Sequence, residues 1–310
     1  MHKSFETREH NEAALIAEMI AILQRKMAHD YARGETRRDA HPKTVGLVRG
    51  SFRIEPELPE KFRVGLFAEP GVFDCWVRAS NSSGKIQSDA IADARGLAIK
   101  LLAPHGKKVA ADTPLGQDFV LLSSPVMPLG TIALFRDAVY YTIESSPLLL
   151  AAKFALTGHA LALLGLLALR IQPSSPLDIQ YWSTTPYLFG EDRAVKYSLV
   201  PTSKRRSEKP DNPGEDYLAE AMQAHLDKHE ASFDFCVQLQ GKGMPIEDAS
   251  QRWDERKSPL LKVATLTIPV QKFRTPQRQE LAERLSFAPD HALPDHAPLG
   301  ERRAAVLYRR

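Results

Sequence analysis

The chain has 310 residues, is 43% hydrophobic and 25% charged, and carries a formal net charge of +3. This composition supports a sizeable buried core and excludes a chain that is disordered by composition. The charge is too small for a nucleic-acid-binding protein, which needs a clustered basic face, and the length suits one large domain or two ordinary ones.

The N-terminus opens on a charged stretch, Met1 to Glu6, without the apolar core of a signal peptide, so a cytoplasmic location is expected. Leu15, Ile16, Met19, Ile22, Leu23 and Met27 recur at helical spacing and predict an amphipathic helix over 11–33, the body of an N-terminal arm spanning 1–34. From 44 to 125 the pattern turns to strands: Gly46 to Ile54, Phe73 to Val77, Gly96 to Leu102 and Asp118 to Leu122. Residues 131–171 return to helical composition. Strands then come back at Val195–Val200, Phe233–Gln240 and Val263–Val270, with a helix at Tyr217–His229 between them. The stretch 276–310 reads as helix and then loop, broken by Pro289, Pro294 and Pro298. Two groups of antiparallel-type strands with helices around them predict one α+β domain built on a barrel, covering 35–310. Cys75 and Cys236 lie in apolar, strand-like runs and are expected to be buried, reduced thiols.

The apolar segment at 148–171 is about as long as a bilayer span. Lys153 within it would cost about 2.5–3.5 kcal/mol at the membrane centre. Gly158 could split the segment into two short helices, and a span would put the two strand groups on opposite sides of the membrane. Two readings remain, a buried core helix or a peripheral membrane-surface helix that could admit a lipid substrate.

Chemistry concentrates around His41. Arg38 lies three residues before it and Lys43 two after it, and Gly46, Gly50 and Phe52 follow on a strand. Val77-Arg78-Ala79-Ser80 comes next, then Asp93, Arg95, Gly96, Ala98 and Lys100, then Asp118 to Pro125 with Ser123 inside. A histidine among arginines with a serine nearby suits peroxide chemistry: the imidazole moves a proton between two oxygens and guanidinium groups fix negative charge. His225 and His229, four apart on a helix, have no companion ligand and read as a solvated face. Lys204-Arg205-Arg206 reads as a solvated loop.

The order and gaps of these segments resemble the catalase superfamily of haem proteins, over roughly 35–308. Leu285-Ser286-Phe287-Ala288-Pro289 is similar to the catalase segment ahead of the proximal helix. Asp178 to Ser183, Pro245 to Asp248 and His291 to His296 look like the short bacterial catalase-like peroxidases. The resemblance implies an α+β fold with an antiparallel β-barrel core and surrounding helices, and haem b iron as cofactor. It casts His41 as distal acid/base, Ser80 as the residue holding its ring, Arg38 and Arg78 as partners of haem propionates, and Tyr308 as the phenolate ligand to iron.

Three departures qualify it. Ser123 stands where catalases have an asparagine, which favours peroxidase-type turnover over rapid disproportionation of hydrogen peroxide. Ala304 occupies the position four before the tyrosine, so Arg302 or Arg303 would have to support the phenolate. Tyr308 sits on a short terminal segment. The expectation is a peroxidase acting on hydrogen peroxide or on organic or lipid hydroperoxides. The alternative is a barrel that binds haem or lipid without turnover. No nucleic-acid partner is expected, and a homodimer is the default for a soluble enzyme.

Overall fold

The computed structural model describes residues 11–32, 38, 40–102 and 116–299. Nine strands are described: β1 (Thr44–Ile54), β2 (Val72–Asn81), β3 (Arg95–Leu101), β4 (Gln117–Leu122), β5 (Tyr181–Trp182), β6 (Tyr187–Leu188), β7 (Ala194–Pro201), β8 (Ala231–Leu239) and β9 (Leu261–Ile268). All pairings are antiparallel, in the order β5-β4-β3-β2-β1-β9-β8-β7-β6. A further pairing of β5 with β7, Tyr181 opposite Leu199, closes eight of the strands into a barrel, with β6 flanking β7.

Alternation of side chains across each strand separates an inner from an outer face. On β2, Cys75, Val77 and Ala79 point into the core, so Trp76, Arg78 and Ser80 share the outer face. An irregularity between Thr44 and Gly46 shifts the phase of β1, which lets both Val45 and Val48 join the interior. The interior is aromatic. Phe119 lies 4.7 Å from Phe235 and 5.0 Å from Tyr197, centroid to centroid, and Phe52 lies 5.0 Å from Phe235. Cys75 and Cys236 are buried free thiols, pushed up to about 12 mainly by desolvation.

Among the described residues six α-helices surround the barrel: α1 (Glu12–Asp30), α2 (Ile132–Glu144), α3 (Pro147–Leu156), α4 (Ala160–Ala168), α5 (Tyr217–Leu226) and α6 (Pro276–Arg284). α1 lays Leu15, Ile16, Met19 and Ile20 against Ile132, Phe135 and Val139 of α2. α6 packs Leu281 and Ala282 against Leu47, Trp76, Ala98 and Val120 on the outer face of β1–β4, with Leu285 and Phe287 continuing the contact.

Gly158, at φ 79°, divides the apolar segment into α3 and α4. The core-helix reading of 148–171 does not hold. Only Leu150 and Phe154 of α3 are buried, and no residue of α4 is. Among the described residues no helix is long and apolar enough to cross a membrane. The solvated reading of His225 fails as well. It is 3% exposed, its Nε2 meets Glu230 O at 3.1 Å, and only His229 faces outward.

Candidate functional site

His41 sits on the turn that leads into β1 with its backbone in the left-handed region, φ 56°. A non-glycine residue in that region is strained and persists only when its surroundings hold it. The Arg78 guanidinium supplies the hold. Its Nη2 donates to His41 O at 2.7 Å and to Thr44 Oγ1 at 2.7 Å, and its Nε donates to Thr44 Oγ1 at 3.2 Å.

The imidazole lies over the row Thr44–Ser80–Gly96–Leu122, residues in register across β1, β2, β3 and β4. His41 Nδ1 and Ser80 Oγ are 3.0 Å apart. Gly96 makes the seat. A Cβ there would stand 2.7 Å from both His41 Cε1 and Nδ1 and 2.8 Å from Ser80 Oγ, closer than real Cβ contacts come. Desolvation first, then the charges of Arg78 and Arg38, lowers the His41 pKa from 6.5 to about 3. The ring is therefore neutral at ordinary pH. With Nδ1 carrying the proton toward Ser80, Nε2 presents a lone pair, and it has no hydrogen-bond partner among the described residues.

Arg38 reaches α6. Its Nη1 donates to Ala282 O at 2.8 Å and its Nη2 to Leu285 O, so the guanidinium closes the C-terminal end of α6, with Glu283 3.9 Å away. Ser123 is tied to β3: its Oγ accepts from Arg95 N at 2.9 Å while its own N donates to Arg95 O at 2.8 Å. Tyr308, Arg302 and Arg303 lie outside the described residues.

The Asp93-x-Arg95-Gly96 motif serves three separate tasks. Asp93 takes Ser82 Oγ at 2.6 Å and Ser83 N at 2.8 Å, fixing the β2–β3 connection. Arg95, 2% exposed, plugs the barrel end by donating to Asn81 Oδ1 and to the carbonyls of Asp89, Ile91 and Ile171. Gly96 clears space for His41. Lys43 joins the same plug, 3.1 Å from Asp89 Oδ1 and 2.9 Å from Asp216 Oδ1, and so links β1 to α5.

Two further polar groups were not foreseen. Asp118 chelates Lys100 Nζ at 2.7 Å with both oxygens, while His291 Nδ1 lies 3.2 Å from Asp118 Oδ1 and Ala288 N donates to Asp118 Oδ2 at 3.0 Å. This pins the 285–293 segment over β3 and β4. His296, fully buried, accepts from Leu66 N at 3.0 Å and meets Tyr197 Oη at 3.2 Å, its pKa lowered by burial to about 4. Beside the end of β4 an apolar cavity of about 80 Å³ is lined by Val120, Leu122, Met127, Leu129, Phe135 and Tyr187, among others.

No protein-family model matches the chain, and no curated protein does. Solved structures do match. A fungal catalase superposes with a TM-score of 0.70 at 17% identity, covering 88% of this chain and 58% of its own. Catalase A from Saccharomyces cerevisiae gives 0.70 at 15% identity over 92% of this chain and 62% of its own. The fold is catalase-like. A bacterial catalase agrees, at 0.67 and 15% identity over 91% of this chain and 57% of its own. The chain spans about three fifths of the length of these catalases. At such identities the likeness carries the architecture, and the activity has to be argued from the site.

The residues present fit one half of a haem site. A neutral imidazole whose Nε2 has no partner among the described residues, seated over Gly96 and Ser80, suits the side of such a site that would handle protons. Arg38 and Arg78 hold protein carbonyls, so a propionate would share or displace those contacts.

Proposed function

We propose that the protein is a peroxidase-type oxidoreductase that uses haem b to process hydrogen peroxide or organic and lipid hydroperoxides. One observation carries this reading: His41 is kept neutral by desolvation and by the charges of Arg78 and Arg38, and is held in place by the Arg78 clamp on its strained backbone and by the Nδ1–Ser80 contact, with Nε2 left to take a proton. Haem, when bound, supplies the redox chemistry of O–O cleavage. Tyr308 would hold the haem iron through its phenolate, and Arg78 and Arg38, the cations whose charge acts on His41, would meet the propionates.

The chain's own residues handle position and protons. With haem bound, Nε2 of His41 would take the proton from one peroxide oxygen and return it to the oxygen that leaves as water or alcohol, and an external reductant would supply the two electrons of peroxide reduction. Ser80 fixes the ring plane and Arg78 fixes the backbone beneath it. Ser123, already accepting from Arg95 N, keeps its hydroxyl hydrogen as a donor, a shorter reach than the asparagine of catalases. This supports peroxidase turnover over disproportionation. The apolar cavity beside Leu122 favours hydroperoxides with an aliphatic body.

The test is the absorption spectrum of protein purified from haem-supplemented cells, beside Tyr308→Phe, together with peroxide consumption. A high-spin ferric spectrum that shifts in the variant supports the reading. Folded protein that takes up no haem sinks it. The engagement of Arg38 and Arg78 by protein carbonyls favours a second reading, a catalase-like barrel that binds haem or lipid without turnover. That reading predicts that His41→Gln changes no activity.

A further inference from the structure

The α3–α4 hairpin carries an apolar surface left open by the rest of the described chain. Leu148, Leu149 and Leu156 of α3 are 77%, 54% and 88% exposed, and Leu161, Leu164 and Leu167 of α4 are 82%, 60% and 53% exposed. α4 contains only alanine, leucine and glycine and buries none of them. A helix that is apolar all round belongs in a protein core or in lipid, and six open leucines on one hairpin are not the scattered apolar residues of an ordinary surface.

Charge, shape and chemistry select the occupant. Between Glu144 and Asp178 the chain has no carboxylate; its ionisable side chains there are Lys153, His159 and Arg170. Lys153 pairs with Asp137 at 2.7 Å, and the exposed Arg170 has no ion-pair partner among the described residues. The two most exposed leucines, Leu156 and Leu161, flank the Thr157-Gly158-His159 turn. The surface is therefore a protruding tip rather than a flat face. Helices of 10 and 9 residues reach about 15 Å, half of a bilayer's hydrocarbon thickness. The open leucines bring no aromatic ring and no hydrogen-bonding group, whereas the cores of protein interfaces are enriched in aromatic side chains and arginine.

We propose that the α3–α4 hairpin docks this protein on an anionic lipid bilayer, seating Leu156 and Leu161 among the acyl chains of one leaflet. The hairpin's inner side, Leu150, Phe154, Leu163 and Leu166, packs with Met127, Leu129 and Phe135, which also line the cavity beside β4. As a route for a lipid hydroperoxide this packing rests on the peroxidase reading; the docking does not.

The test is co-sedimentation of the full chain with phosphatidylcholine vesicles, with and without phosphatidylglycerol, alongside a Leu156→Asp, Leu161→Asp double variant. Both side chains are exposed, and an unchanged melting curve verifies that the variant folds. The wild type is expected to pellet with the phosphatidylglycerol vesicles, less so without that lipid or at high salt, and the variant to partition about 100-fold more weakly. Wild type that stays in the supernatant overturns the proposal, as does a variant that pellets equally well. A wild-type dimer that the variant dissociates, with no vesicle binding, assigns the surface to a second copy and overturns it too. Vesicle binding is read without haem or turnover, so its failure is separate from failure of the peroxidase reading.

Discussion

His41 illustrates how a proton-transfer residue is prepared by neighbours that never touch substrate. Arg78 clamps the His41 carbonyl, Ser80 meets Nδ1, and Gly96 removes the one atom that would collide with the ring. Gly96→Ala is therefore expected to lower peroxide turnover about 100-fold, the scale of a displaced catalytic group, while the far-ultraviolet circular dichroism of the barrel stays unchanged. Ser80→Ala should cost roughly tenfold in kcat with KM little altered, the effect of a positioning residue. A pKa of about 3 also fixes the pH profile. The rate should show no inflection at His41's ordinary value of 6.5, because the imidazole is already neutral there. A rate that falls through about pH 6.5, with that inflection abolished in His41→Gln, would contradict the desolvated setting. That His41, Arg78 and Ser80 belong together was legible in the sequence, and the structure brings them into contact. What Arg38 holds was not. A guanidinium near a histidine reads as an anion partner, and only the fold brings the α6 carbonyls of Ala282 and Leu285 to it.

Elements show the same division. Strands β1, β2, β3, β4, β7, β8 and β9 were legible because each carries a run of five or more strand-forming residues. β5 was not, because a two-residue strand, Tyr181–Trp182, has no period to read, yet it closes the barrel. The buried plug of Arg95, Asn81, Asp89 and Lys43 was also invisible, since its members are separated in sequence and joined only where β2 and β3 end. Removing the guanidinium leaves Asn81 Oδ1 and the carbonyls of Asp89, Ile91 and Ile171 as acceptors without their donor. Arg95→Met is expected to lower the unfolding free energy by about 3 kcal/mol, measurable in urea; an unchanged midpoint would show that the plug is dispensable. Gly158 as a helix divider was legible, because an apolar run interrupted by Thr157-Gly158-His159 has an obvious breaking point.

For the whole molecule, the aromatic interior makes the barrel the cooperative unit, and the helices attach to it with unequal strength. Hydrogen exchange should be slowest in β1, β2, β8 and β9 and fast in α3 and α4, where few side chains are buried. Protection in α4 equal to that in β2 would mean that the hairpin is covered by protein. Two histidines make the fold acid-labile. His41 and His296 accept a proton only at about 3 and about 4 when folded, but at their ordinary 6.5 when unfolded. Between those values the unfolded chain binds more protons, so stability is lost as pH falls below about 6.5. The urea midpoint should accordingly be lower at about pH 5 than near pH 7. Replacing His41 with Gln should flatten that slope.

The central claim is that His41 moves a proton on a peroxide. The most direct measurement is steady-state peroxide consumption by the haem-loaded wild type and by His41→Gln, at equal haem content. The account predicts a loss of about 100-fold or more in the variant, with an unaltered ferric spectrum. Equal turnover by the two proteins would contradict it and leave a catalase-like barrel whose histidine does no chemistry.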